Sequence, residues 1–139
     1  MKGQPLLLDT NCWIWLDDGN SRLKKPHQDL ISHAAINNQL YLSAISLWEF
    51  CMLEEKKRIT IQRPAEEWIK ESIKLAKVHI IPLSPEVAAE SCRLPGNFHG
   101  DPADRIIVAS AKVHGLTLLT SDKKILTYSK KAHLKTIRV

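Results

Sequence analysis

The stretch LLLDTNCWIWLDD, residues Leu6–Asp18, changes character within a few positions. Leu6 to Leu8 form a short apolar run with polar residues close behind, the pattern of a fully buried strand. Asp9, Thr10 and Asn11 end that run with the short polar side chains that start helices. The spacing predicts a helix from Cys12 to about Asp18, capped by Asn11. A buried strand that feeds directly into a helix is the first half of a βα unit, so the fold turns on whether the unit recurs.

It does recur. Tyr41–Ser43 reads as a strand with a helix from Leu47 to about Lys57 behind it, and helices are predicted over Pro26–Gln39 and Pro64–Lys77. Further on, Val78–Ile81 is strand-like, Ser84 and Pro85 open a helix, Pro102–His114 forms another, and Leu116–Leu119 is a strand ended by TSD. Strands alternating with helices imply an α/β fold, with a parallel sheet covered on both faces. With 139 residues, 44% hydrophobic and 25% charged, the chain is expected to be one domain spanning 1–139. No repeat, low-complexity tract or long linker divides it. Its apolar runs fall far short of the ~20 residues of a membrane helix and no signal-like segment opens it, so a cytoplasmic protein is expected. Cys12, Cys51 and Cys92 are widely spaced and read as reduced core thiols. Trp13 and Trp15 lie two apart in a predicted helix and point about 200° apart. One of them either meets a second chain or is covered within the domain.

In a parallel α/β sheet, ligands bind beyond the carboxyl ends of the strands. Asp9 directly follows the first predicted strand, and Asp122 follows the last in TLLTSD. Two further acids fall in first helical turns: Glu49, three after Ser46 in SAISLWEF, and Asp104, three after Asp101 in HGDPADRIIVASA. Both spacings also fit a capping box, with Asp101 as cap and Pro102 at the first helical position. Capping alone does not explain four acids from four segments meeting at one end of a sheet. Such carboxylates repel one another unless some are protonated or a cation lies between them. All-oxygen donors favour Mg²⁺ or Mn²⁺, which keep waters to exchange with phosphate oxygens. That chemistry is phosphodiester hydrolysis.

The charge permits a polyanionic substrate. Lys and Arg number 20 against 15 Asp and Glu, a net charge of +5. Many bases are clustered, at Lys24–Lys25, Lys56–Lys57–Arg58, Lys123–Lys124 and Lys130–Lys131, although solvated faces look the same. No GxGxxG or GxxxxGK[ST] motif supports a dinucleotide or P-loop reading. Asp9 is followed by Thr10–Asn11 and not by the D-x-D of aspartate-based phosphatases.

Taken together, LLLDTNCWIWL, LSAISLWEF, HGDPADRIIVASA and LLTSD resemble, in order and spacing, the PIN-domain ribonucleases, most closely the VapC-like toxins of bacterial toxin-antitoxin pairs. The resemblance covers nearly the whole chain. It implies a three-layer α/β/α sandwich around a short parallel sheet, and a metal-dependent endoribonuclease. Asp9, Glu49, Asp104 and Asp122 become the catalytic, Mg²⁺- or Mn²⁺-binding quartet. Asp101 is left outside with its capping role, and Thr10, Asn11, Thr120 and Ser121 fall beside the quartet as supporting residues. The family context adds an RNA substrate, a cognate antitoxin and a homodimer. The rival reading, a catalytically inactive PIN-like module that binds RNA or protein, is disfavoured by the complete quartet. His99 and Arg105 flank the third motif. His99 suits a phosphate contact or a turn, and Arg105 an ion pair with a neighbouring acid.

Overall fold

Leu6, Leu7 and Leu8 have no exposed surface because strand β1 (Leu6–Leu8) is central in its sheet. In the computed structural model, which describes residues 4–96, 98, 100–132 and 134–139, β1 pairs with β2 (Leu40–Ser43) on one side and β4 (Thr117–Thr120) on the other. β3 (His79–Ile81) and β5 (Thr136–Arg138) lie outside them. The order is β3-β2-β1-β4-β5 and every pairing is parallel. Leu7 pairs with Tyr41 and with Leu118, which fixes the register across the middle of the sheet.

Alternation along β1 divides the core in two. Leu6 and Leu8 point to one face, with Leu40 and Leu42, and are covered by α1 (Thr10–Asp18), α2 (Lys25–Ile36), α3 (Ala44–Glu55) and α4 (Ala65–Ala76). Leu7 and Leu118 point to the other, under α5 (Pro85–Cys92), α6 (Pro102–His114) and α7 (Lys123–Ser129). Each fully buried leucine stabilises the fold by roughly 1.5–3 kcal/mol relative to exposure, which accounts for the sheet's leucine-rich centre. The result is the expected three-layer α/β/α sandwich. On the first face Trp68 stacks on Phe50 at 4.0 Å between ring centroids, and Trp13 meets Trp68 edge-on at 5.1 Å. The Trp13 indole N–H donates to Ser72 Oγ at 2.8 Å, so the buried ring keeps a partner.

Several expectations need correction. Asn11 is not the cap of α1: the helix starts at Thr10, and Asp9 caps it by accepting from the Asn11 backbone N–H. Ser46 does not cap α3 either, because the helix starts at Ala44 and Ser43 caps it. Of the cysteines only Cys12 is a core thiol; Cys51 and Cys92 are exposed, and all three are free. Trp13 is fully buried, whereas Trp15 is half-buried with the Arg22 guanidinium 5.2 Å from its ring. α7 and β5 are additions that the sequence pattern does not signal. Among the described residues no helix is long and apolar enough to cross a membrane.

Candidate active site

Because all five strands run the same way, their carboxyl ends form one edge, and every helix that precedes a strand on the sheet must begin there or return from it. Asp9 leaves β1 at this edge and Asp122 leaves β4, while Glu49 lies in the second turn of α3, just after β2. α6 runs back before β4, so its first turn, with Asp101 as cap and Asp104 inside it, also starts at the edge. The topology thus collects the four expected acids, and Asp101 with them.

Asp9, Asp101 and Asp122 are each an N-cap, of α1, α6 and α7. Asp101 Oδ1 accepts from the Asp104 N–H at 2.8 Å. Asp122 Oδ1 accepts from the N–H groups of Lys124 at 2.8 Å and Ile125 at 3.1 Å. For Asp101 and Asp122, capping uses one oxygen and leaves the second free for other work. The Asp9 carboxylate is buried, with Oδ1 on the Asn11 N–H at 3.0 Å and Oδ2 accepting from the Thr120 hydroxyl. Thr120 Oγ1 in turn accepts from the Asp122 N–H at 3.0 Å, which ties the ends of β1 and β4 together.

Glu49 is held from α1. The Thr10 hydroxyl donates to Glu49 Oε1 at 2.5 Å and lies 2.8 Å from the buried Ser46 Oγ. Ser46 and Glu49, three apart, share one face of α3, and that face is turned to Thr10. Ser46 is therefore a supporting residue of the site and not a cap. Its spacing to Glu49 is the signal in the sequence that could have placed it there. Ser121 is half-buried and Asn11 exposed, and Asn11 contributes its backbone N–H.

Glu49, Asp101 and Asp104 bring one carboxylate oxygen each within 4.8 Å of one another. Asp101 has the expected capping role, and, three before Asp104 at the helix start, it also lies beside that residue. The electrostatics extend the cluster. Burial pushes Asp104 up to about 7, helped by the charges of Asp101, Asp122, Glu49 and Asp9. Burial also raises Glu49, against the Thr10 hydrogen bond and with the charges of Asp9, Asp101 and Asp122. Asp9 is raised by burial too, opposed by Thr120 and the Asn11 N–H and assisted by Asp122. The charge of Asp122 thus acts on all three of these carboxyls.

Among the described residues Arg105 does not form the expected ion pair. Its guanidinium donates to two main-chain carbonyls, Nε to Ser91 at 3.0 Å and Nη1 to Phe98 at 2.7 Å, and so fastens the approach to α6 onto α5. Gly100 lets that approach run close: a Cβ there would collide with the Phe98 ring and fall 3.0 Å from Asp104 Cβ. His99, like His133, lies outside the described residues.

The family model for the PIN domain matches residues 6–131, a span that includes all of these acids. The chain belongs to the PIN-domain family. Ribonuclease VapC22 of Mycobacterium tuberculosis is 36% identical over 121 residues, covering 86% of this chain and 88% of the relative. Among solved structures, a toxin-antitoxin complex from Klebsiella pneumoniae includes a chain with a TM-score of 0.59 and 28% identity, covering 86% of this PIN domain and 88% of that chain. VapBC2 from Rickettsia felis, bound to a DNA fragment from its promoter, gives a TM-score of 0.71 at 19% identity and covers 96% and 98%. At that identity it establishes the PIN-domain fold alone.

Proposed function

We propose that this chain is a Mg²⁺- or Mn²⁺-dependent endoribonuclease, and the toxin of a pair in which a dedicated antitoxin protein restrains it. The observation that carries the reading is the meeting of acids from four segments at one sheet edge, where burial and neighbouring charge raise the proton affinity of Asp9, Glu49 and Asp104. The fit to a divalent cation follows from that donor set. It is all oxygen, and Asp101 and Asp122 each keep an oxygen free of capping bonds. Asp9, Glu49, Asp104 and Asp122 are the residues assigned to hold the ion, with Asp101 adding charge beside Asp104. A bound divalent cation there supplies charge neutralisation for the phosphodiester and lowers the pKa of the attacking water.

The chain's own residues do the positioning. Thr120 and the Asn11 N–H fix both oxygens of Asp9, and Thr10 orients Glu49, so neither carboxylate has to be ordered when substrate arrives. The names of the ribonuclease from M. tuberculosis and of the K. pneumoniae complex support RNA as substrate and an antitoxin as partner. The test is cleavage of single-stranded RNA by the purified chain. We expect cleavage with Mg²⁺ or Mn²⁺, arrest by EDTA, poor replacement by Zn²⁺, and inhibition by the protein encoded in the adjacent reading frame. Cleavage undiminished by EDTA would overturn the metal-dependent reading.

A further inference from the structure

Beside the acid cluster lies a cleft of about 380 Å³ that the chemistry above does not use. Its floor is apolar, lined by Phe98 and Tyr128, each only 5% exposed, whose rings meet at 4.8 Å, and Tyr128 is fixed by donating its hydroxyl to the Pro95 carbonyl at 2.6 Å. Its rim carries the exposed Lys123, Lys124 and Lys131, with Thr127 between them. Two short paths join cleft and cluster. Asp122 runs directly into Lys123 and Lys124, and Phe98 packs over Gly100 on the side of Asp104.

Charge sharpens the contrast. Residues 123–139 contain six Lys and Arg and no acid, whereas residues 1–122 contain 14 Lys and Arg against 15 Asp and Glu. The excess positive charge of the whole molecule therefore resides in the segment that forms this rim and its surroundings. A second basic cleft, lined by Lys123, Lys130 and Arg138, continues it on the other side of α7.

We propose that the Phe98–Tyr128 cleft is a substrate subsite that seats one nucleotide of single-stranded RNA next to the scissile bond. The base or ribose packs against the apolar floor, and the flanking phosphates are held by Lys123, Lys124 and Lys131. This rests on the nuclease reading of the adjoining acids, which it deepens. A nucleic acid strand alternates apolar bases with anionic phosphates, matching an apolar floor under a rim of ammonium groups. The size is within the range of pockets that enclose small ligands, about 300–1,000 Å³. Lysines on the rim also offset the repulsion that the acid cluster exerts on an arriving polyanion.

The test measures binding of short fluorescein-labelled oligo(A), oligo(C), oligo(G) and oligo(U) RNA in EDTA, in an Asp104→Asn background where repulsion is lower. Thr127→Trp fills the cleft from an exposed helical position without changing charge. Lys124→Ala/Lys131→Ala removes rim charge, and Lys24→Ala/Lys25→Ala is the charge-matched control. We expect Thr127→Trp to weaken the preferred oligonucleotide about fivefold or more and to level the preference among bases. The rim variant should lower the salt dependence by about 0.7 in logarithmic slope for each phosphate that the rim no longer holds, and the control should leave it unchanged. Absence of RNA binding, or equal binding and preference in Thr127→Trp, overturns the subsite. So does a defect confined to binding of the antitoxin. If the cleft variants behave as expected while the unmutated chain cleaves no RNA with Mg²⁺ or Mn²⁺, the nuclease reading fails and the subsite stands as an RNA-binding cleft.

Discussion

Thr120 is the pivot of the site at the level of single residues. It donates to the buried Asp9 carboxylate and accepts from the Asp122 N–H, so one hydroxyl positions two of the four acids. Thr120→Val keeps the shape and removes both bonds. A buried polar group left without a partner costs about 1–3 kcal/mol, and that loss should appear as a lower urea midpoint together with weaker Mg²⁺ binding. Unchanged stability and metal affinity would show that Asp9 is held by other means. Asp104 supplies a second check at this scale. Its pKa is about 7 in the fold, against 3.8 for an aspartate in the unfolded chain. A carboxyl that keeps its proton longer when folded favours the folded state at low pH. That advantage is intact below 3.8 and is lost as pH rises toward about 7. Metal-free protein should therefore lose stability relative to Asp104→Asn across that window, in denaturant titrations at successive pH values. A flat or opposite difference would contradict the assignment. The positions of Asp9, Asp104 and Asp122 were legible in the sequence because standing after a strand or at a helix start is a sequence property, whereas Glu49, expected in a first helical turn, lies in the second because α3 starts at Ala44. Thr10 and Ser46, in contact across α1 and α3, were not legible as partners, because no local pattern encodes a contact between distant segments.

Among the elements, three helix starts do double duty. In HGDPADR, Asp101 caps α6 with one oxygen and lies beside Asp104 in the acid cluster. Substitutions separate the two roles. Asp101→Asn keeps the capping bond and removes the charge, so metal-free stability should hold or rise. Asp101→Ala removes the cap as well and should be about 1 kcal/mol less stable than Asp101→Asn by urea unfolding. Equal stability of the two would mean that the cap contributes nothing. The S-x-x-E at Ser46 misleads because α3 starts at Ala44, and the same spacing that marks a capping box also marks one face of a helix interior. α7 and β5 escape a sequence reading because they have seven and three residues and lie among lysines, where no apolar period is long enough to register. Most of the remaining elements were legible to within a few residues, since buried leucine runs and Gly or Pro boundaries carry their own signal.

For the molecule as a whole, the sheet order and the parallel pairing determine the edge at which the acids gather. With β1 and β4 adjacent, Asp9 and Asp122 emerge side by side, and α3 and α6 deliver Glu49 and Asp104 to the same place. The carboxylates would drive that edge apart were they not partly protonated or neutralised, and the rest of the fold supplies the stability that permits the crowding. Removing one negative charge should therefore relieve the metal-free protein and disable its response to a cation. The direct measurement is the melting temperature of the unmutated chain and of Asp104→Asn, each in EDTA and in Mg²⁺. Asp104→Asn should melt as high as or higher than the unmutated chain in EDTA, and Mg²⁺ should raise the unmutated chain but move the variant little. A variant stabilised by Mg²⁺ as strongly as the unmutated chain would contradict the assignment of these acids as one metal site.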